Sequence, residues 1–509
     1  MMDGSNPQLT KETGQSALLV YTVFAWLATS TVLLLINFEF NWLGHGNQLW
    51  YLLLIIKSIL EIIGIFYAVS FTAISIAYLL SDNNPKARRG LQLRPPVGVI
   101  YLCCEDINEQ AIRSLCSLEY TGKLYLIIHD DSQRLESQAQ VDAVVAKISH
   151  EFPGSVLLLR RTKKEWGKPG AVNFVIRNTS HLFDYFLLCD SDSFAITPDA
   201  IDKALAHFAP RVAIVQFRNT SMVDQHGPWV NQVLSEVIDV FDVFLTTGTR
   251  WGWQPFLGHN AMLSTKAFLE IGGMKPFFAD DIDLSLRLNL CGYKTVYANE
   301  IVFGEEHPTS YLAFRTRIYK WSFGCMQILR EHTLSILMSN NLDVSEKWYA
   351  FLVSWFYVVQ GLLILYLGIS YVLLPLLAAS VGLELWQTLL GDILIMITIF
   401  AYSWAFFLKK KWGFIKWARF AFICAVVYGG TGIVSIIGIW DCLASKKRGW
   451  IPTNSSHSHT DHLPVFIEPL LGVSLLLVPY IGLHVLPSSP LIYLFAGVYL
   501  AVPLIAQLY

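Results

Sequence analysis

Charge is spread so unevenly along these 509 residues that the chain has few ways to fold. Ala17 to Ile36 runs for twenty residues without a charge, and Trp50 to Leu80 is a longer apolar run, about 46 Å if wholly helical. Beyond Lys347 the apolar character returns in 348–381, in 385–408 with one acid at Asp392, and in 420–440, 469–486 and 491–509. A run of about 18 such residues suffices for a helical crossing, so the pattern predicts about seven membrane spans. The whole chain is 54% hydrophobic and 15% charged, with a mean hydropathy of +0.45, which excludes an ordinary soluble protein. Nearly all the charge falls in the block between the spans, and that block is long enough for its own core.

The expected organisation is an N-terminal cytoplasmic segment (1–16), a transmembrane hairpin (17–80), a cytoplasmic block (81–347) and a C-terminal transmembrane region (348–509) with a cytoplasmic loop at 444–463. The basic DNNPKARRG stretch (82–90) sets the sidedness by the positive-inside rule. No basic region precedes the first apolar run, so that run reads as a retained span. Lys57 and Glu61, at i and i+4 inside the second run, read as a self-neutralising pair near the interface. KKK (409–411) and KKR (446–448) both belong on the cytoplasmic side, yet one span over 420–440 would separate them. Gly429 and Gly430 could break that segment into a re-entrant or interfacial pair. The eight cysteines, at 103, 104, 116, 189, 291, 325, 424 and 442, have no C-x-x-C spacing, as suits a reducing compartment.

Within the block, 97–104, 123–131, 155–161, 186–190 and 213–218 read as buried strands separated by helix-length segments, a mostly parallel α/β sheet. YFLLCDSDS (185–193) delivers Asp190 and Asp192 to the end of one strand, where open α/β sheets bind ligands. Two carboxylates at i and i+2 can share a divalent cation, Mg2+ or Mn2+, with a diphosphate. Neither a Walker A loop nor a G-x-G-x-x-G follows a strand. The bland alternative for such acids is helix capping.

Further stretches keep order with D-S-D: IIHDDS (127–132), GKPGAVN (167–173), FLGHNAML (256–263), FADDIDLSLRL (278–288), EEHPTS (305–310), RTRIYKWSFG (315–324) and RGWIPTN (448–454). Together they resemble the family 2 inverting glycosyltransferases of the membrane-embedded synthase type, relatives of the cellulose, chitin and hyaluronan synthases. The resemblance implies a GT-A type domain inserted between transmembrane helices. It assigns Asp130, with Asp131 as alternate, to the nucleotide base, and Lys168, Arg317 and Lys320 to the diphosphate. Asp192 would carry the metal, with Asp190 on ribose or a metal-bound water. Asp281 would be the base that takes the acceptor's proton, and Asp280, Asn260 and Trp321 would line the acceptor. Trp450 and Thr453 would belong to a gating loop. Arg317 and Lys320 stand where the family's Q-x-x-R-W has Gln and Arg, and Lys lacks the guanidinium fork.

The implied enzyme is a multi-pass membrane hexosyltransferase, in a plasma or inner membrane, using a nucleotide-activated sugar, UDP-linked by expectation. Its product would be a β-linked polysaccharide, extended and exported through its own spans or with further subunits. Its partners would be that donor, the growing glycan or a lipid acceptor, and the bilayer, with no nucleic acid. Addition of a single sugar to lipid is the alternative, and a transporter with a regulatory domain is the reading from another class. His457, His459, Asp461 and His462 could form a metal cluster, although such loop histidines more often stay solvated.

Overall fold

A computed structural model describes residues 7–37, 47–81, 94–152, 154–222, 228–308, 310–381, 400–445, 467–477 and 491–508. Eight strands form one sheet: β1 Val97–Cys103, β2 Leu124–Asp130, β3 Ser155–Leu159, β4 Tyr185–Cys189, β5 Phe194–Ala195, β6 Val212–Ser221, β7 Ala261–Ser264 and β8 Lys294–Glu305. Their order is β3-β2-β1-β4-β7-β6-β8-β5. All five expected strands are present. β1 and its neighbours β2 and β4 run parallel, and every residue of β1 is buried, as a strand covered on both faces must be. The sheet is more mixed than expected, because β7 lies antiparallel between β4 and β6, and β5 is antiparallel to β8. These strands were illegible for physical reasons: β7 has four residues, β5 two, and β8 carries polar residues and an irregular register against β6.

The helices that matter below are α1 (Pro7–Asn37), α2 (Gln48–Leu80), α3 (Gly167–Thr179), α4 (Asp280–Leu290), α5 (Tyr311–Met338), α6 (Val344–Gly368), α7 (Phe414–Gly430), α8 (Gly432–Leu443), α9 (Ile467–Leu477) and α10 (Leu491–Leu508). Among the described residues, four helical stretches are long and apolar enough to cross a membrane: 18–36, 48–80, 344–378 and 414–443. Two apolar helices are shorter, 467–477 and 493–508. The count of seven therefore exceeds what the described helices support; 385–408 is described only from residue 400, and 469–486 only to 477.

The 414–443 stretch is broken where the glycines suggested. α7 ends at Gly430, α8 starts at Gly432, and Gln360 Nε2 on α6 donates to the Thr431 hydroxyl at 2.9 Å and to the Tyr428 carbonyl beside the break. Both ends of this interrupted stretch touch the central block: Lys416 pairs with Glu236 at 2.9 Å, and Arg330 donates to the Cys442 carbonyl at 3.3 Å. Lys409 donates to the Tyr78 and Ser81 carbonyls, each at 2.7 Å, and so caps α2.

The largest apolar cluster ignores the boundary between block and spans. It joins Tyr67, Phe71 and Tyr78 of α2 to Phe244 and Trp253, to Phe314 and Ile318 of α5, and to Phe407, Phe420 and Val502. Two further clusters cover the two faces of the sheet. Lys57 and Glu61 do form a pair, at 2.5 Å, with both side chains buried. All eight cysteines are free thiols.

Candidate active site

The carboxyl ends of β1, β2 and β4 open on one basin, and the turn after β4 is held rigidly there. The Asp190 N–H donates to Ser193 Oγ at 2.9 Å, the Tyr101 hydroxyl to the Ser191 carbonyl at 3.0 Å, and Ser191 Oγ to Asp106 at 2.7 Å. Lys168 enters from the first turn of α3 and contacts Asp190 at 2.6 Å. Trp166 and Gly167 both take positive φ, 64° and 50°, to start that helix so abruptly. A Cβ on Gly170 would lie 2.1 Å from the Glu165 carbonyl, so this turn tolerates only glycine. Burial favours the neutral form of Asp190, but Lys168 and His259 outweigh it and hold the carboxyl below its ordinary range.

Asp280 and Asp281 open α4 on the far wall. Burial, the adjacent Asp281 and Asp190 push Asp280 up to about 7, against the pull of Lys168 and Lys320. Burial also raises Asp281, opposed by the Ile282 N–H that donates to its Oδ1 at 2.8 Å and by Lys168. One turn on, the fully buried Asp283 accepts from Arg287 and from His332, both at 2.8 Å, which fixes α4 to α5. Lys320, buried on α5, is lowered to about 8 by burial and by Arg317 and Lys168, although Asp280 opposes the shift. The Arg317 guanidinium lies over the Trp321 ring at 5.2 Å, and Trp321 packs against Tyr357 at 4.9 Å between ring centroids.

Two ionisable residues escaped the sequence reading although their segments were singled out. His259 Nε2 and Glu305 lie 2.6 Å apart, Asn219 donates to Glu305 at 2.6 Å, and His259 Nδ1 is 3.8 Å from Asp190. Burial alone would lower His259, but Glu305 and Asp190 raise it to about 9, which makes it a cation facing the acids. Only the pairing of β6 with β7 on one side and β8 on the other brings them together, so local spacing carries no signal.

Other expected residues have structural partners. Asn260, with φ 50°, is fully buried and donates to Asn219 at 3.1 Å, which places it inside the sheet rather than on an acceptor surface. Asp130 is buried and accepts from Arg160 at 2.7 Å, and Asp131 accepts from Arg161 at 2.6 Å. Arg161 also donates to the Glu165 and Gly167 carbonyls, so this pair ties β2 to the start of α3. Trp450 and Thr453, like the histidines of 457–462, lie outside the described residues.

A divalent cation fits this chemistry. Asp192 is raised to about 6 by burial, by Asp190 and by Glu305, with His259 and Arg317 opposing; it is an acid short of positive charge. Among the described residues, its Oδ2 receives a single long contact, 3.4 Å from the Glu306 N–H. Among the described residues no three His, Cys, Asp or Glu side chains converge as a ready cage, so Asp190 and Asp192 would need oxygens from a ligand to complete the shell.

Comparison with known proteins points to a glycosyltransferase. Residues 185–408 match the model of the family described as glycosyl transferase family group 2. A probable glucomannan 4-beta-mannosyltransferase 1 of Arabidopsis thaliana is 26% identical over 261 residues, covering 50% of this chain and 46% of the relative. A second from that plant, numbered 15, is 25% identical over 322 residues, covering 60% and 58%. The chain thus spans about half the length of the curated relatives it matches. They are named as mannosyltransferases, not as cellulose, chitin or hyaluronan synthases. Among solved structures, a mannosyltransferase from Pyrobaculum calidifontis in complex with GDP-Man and Mn2+ superposes with a TM-score of 0.53 at 16% identity, covering 77% of this chain and 99% of that one. That likeness is one of fold, a GT-A-like α/β domain.

Proposed function

We propose that this chain, with its glycosyltransferase family 2 segment, is a membrane-integrated inverting glycosyltransferase that transfers a hexose from a nucleotide sugar to a growing β-linked polysaccharide. The observation that carries the reading is the meeting, in one basin, of Lys168, Asp190, Asp280, Asp281 and Lys320 from four separate stretches of sequence. A cation cluster that can grip a diphosphate faces carboxylates that can take a proton, as direct displacement at an anomeric carbon requires.

In this reading Asp281 accepts the proton of the acceptor hydroxyl as that oxygen bonds to the sugar's C1. The C1–O bond to the diphosphate breaks, and Lys168, Arg317 and Lys320 hold the departing charge. Asp192, with Asp190 beside it, would hold Mg2+ or Mn2+, which when bound supplies further neutralisation of the diphosphate. No covalent intermediate is needed, because one displacement inverts the centre. The relatives' names direct the sugar toward mannose, so the donor test includes GDP-mannose beside the UDP-hexoses.

Full-length protein in lipid nanodiscs should release nucleoside diphosphate from one of these donors and build a long glycan while most acceptor stays untouched. A product of one added sugar, extractable with lipid, would replace the polysaccharide reading by single transfer to lipid. A transporter would account for the spans and for Lys57–Glu61, but it leaves the basin unused; no diphosphate release from any donor would favour it.

A further inference from the structure

α5 presents two opposed faces, and both carry buried chemistry. At about 100° per residue, Arg317, Lys320 and Gly324 fall within about 60° of one another. This face meets the basin: Lys320 lies near Asp280, and Gly324 abuts Ala279, whose backbone leads into Asp280. Arg315, Tyr319 and Ser322 fall on the opposite face, again within about 60°. They meet the C-terminal helices. Arg315 forms a fully buried ion pair with Glu468 at the start of α9, and the Tyr319 hydroxyl donates to the buried Asp441 near the end of α8 at 2.8 Å. Gly438 lets α8 approach so closely that a Cβ there would be 2.8 Å from the Tyr319 carbonyl.

These contacts are not ordinary packing. A buried carboxylate is costly unless partnered, and Glu468 and Asp441 are the acids of two otherwise apolar helices. Their partners on α5 stand at i and i+4, one above the other, while residues 444–466 connect the two acids' helices. The two acids therefore grip one helical turn from opposite ends of a single connection. Arg315 lies two residues before Arg317, and Tyr319 immediately precedes Lys320.

We propose that Arg315–Glu468 and Tyr319–Asp441 form a two-point clamp through which the C-terminal helices set the register of α5, so that these four are positioning residues for Arg317, Lys320 and the Asp280–Asp281 turn. The proposal builds on the transfer reading above for its effect on turnover, while the clamp itself is a statement about α5. An ion pair specifies one register better than apolar contacts, which tolerate sliding. A shift of about 1 Å at this face is carried to the basin, because Gly324 and Ala279 leave no gap to absorb it.

The test uses the full chain in nanodiscs. Backbone hydrogen exchange over 317–324 is read in ligand-free protein, and turnover is read with the donor that the native protein accepts. Glu468→Gln should speed exchange in that window at least tenfold and lower kcat about tenfold. Tyr319→Phe should do the same more weakly. If Glu468→Gln fails to fold, the neutral double variant Arg315→Gln/Glu468→Gln leaves no lone buried charge and is read the same way. Glu468→Gln should cost clearly less in a Lys320→Met background than in the native protein, since part of its effect runs through that cation, whereas a merely structural lesion would multiply with it in full. Unchanged exchange and turnover within twofold in both Glu468→Gln and Tyr319→Phe, or losses that multiply, would overturn the clamp. Should the native protein release no nucleoside diphosphate from any donor, the transfer reading falls, and the exchange data still decide the clamp.

Discussion

Replacing Gly324 with alanine tests whether α5 positions Asp280 and Asp281. The new Cβ would sit 2.6 Å from the Ala279 nitrogen and 2.8 Å from its Cβ, about 0.8 Å short of ordinary contact at the nearer atom. Neither neighbour is a flexible side-chain end. One is backbone and the other is bound to it, so α5 and the start of α4 must separate by most of that distance. In a helix, Gly→Ala by itself favours folding by up to about 1 kcal/mol, so a loss cannot be blamed on helix weakening. Overpacking costs about 1–3 kcal/mol, which leaves the fold intact or modestly weakened. A displacement approaching 1 Å at a reacting group costs on the order of 100-fold in rate. Gly324→Ala is therefore expected to lower kcat about 100-fold while the thermal midpoint moves by only a few degrees. The assay is nucleoside-diphosphate release at saturating donor, beside a melting curve on the same preparation. Gly368→Ala, where a Cβ meets nothing within 4 Å, is the matched control and should keep native turnover. Native kcat in a folded Gly324→Ala protein would refute the claim that this contact transmits position.

Asp281→Asn should lower turnover by about 100-fold while nucleotide binding, followed by calorimetry, stays within threefold of native; lost binding would make Asp281 a binding residue. Asp192→Ala should abolish Mn2+-dependent nucleotide binding, and native activity persisting in excess chelator would contradict the metal assignment. Turnover should rise as pH climbs through about 7, where Asp280 beside the proposed base loses its proton, and donor KM should rise above about 8, where Lys320 loses its charge. Stability should run the other way: the raised Asp280 favours the fold fully below the ordinary carboxylate value, and that contribution is lost as pH rises through about 7, as melting between pH 4 and 8 would register.

The apolar runs of β1, β2 and β4 were legible because a strand buried on both faces needs nothing but apolar residues; β3, at the sheet's edge, is apolar but only half-buried. The acids at their exits were legible because strand ends are where polar residues can serve a ligand. What escaped is what long-range pairing creates. β7 is a strand only because β4 and β6 flank it, and His259 meets Glu305 only across that sheet. Asn260, read as an acceptor contact, is a buried amide joining β7 to β6, a role invisible without Asn219 opposite it. Glu468 stands just before an apolar run, and its partner Arg315 stands 153 residues earlier, so one sequence cannot pair them.

The cluster that runs from α2 through α5 to α7 and α10 has a consequence for biosynthesis. The sheet-bearing block leaves the ribosome long before the helices that complete its largest core, and Lys409, which caps α2, comes 328 residues after the Ser81 it bonds. Until those helices arrive, Phe244, Tyr349 and Phe314 lack part of their apolar cover, a state in which such surfaces recruit chaperones or aggregate. A fragment cut to the sheet-bearing block would keep that exposed face permanently. Completion of this core would thus wait for α7 and α10 to pack, and the cell's quality control would see an unfinished chain until then.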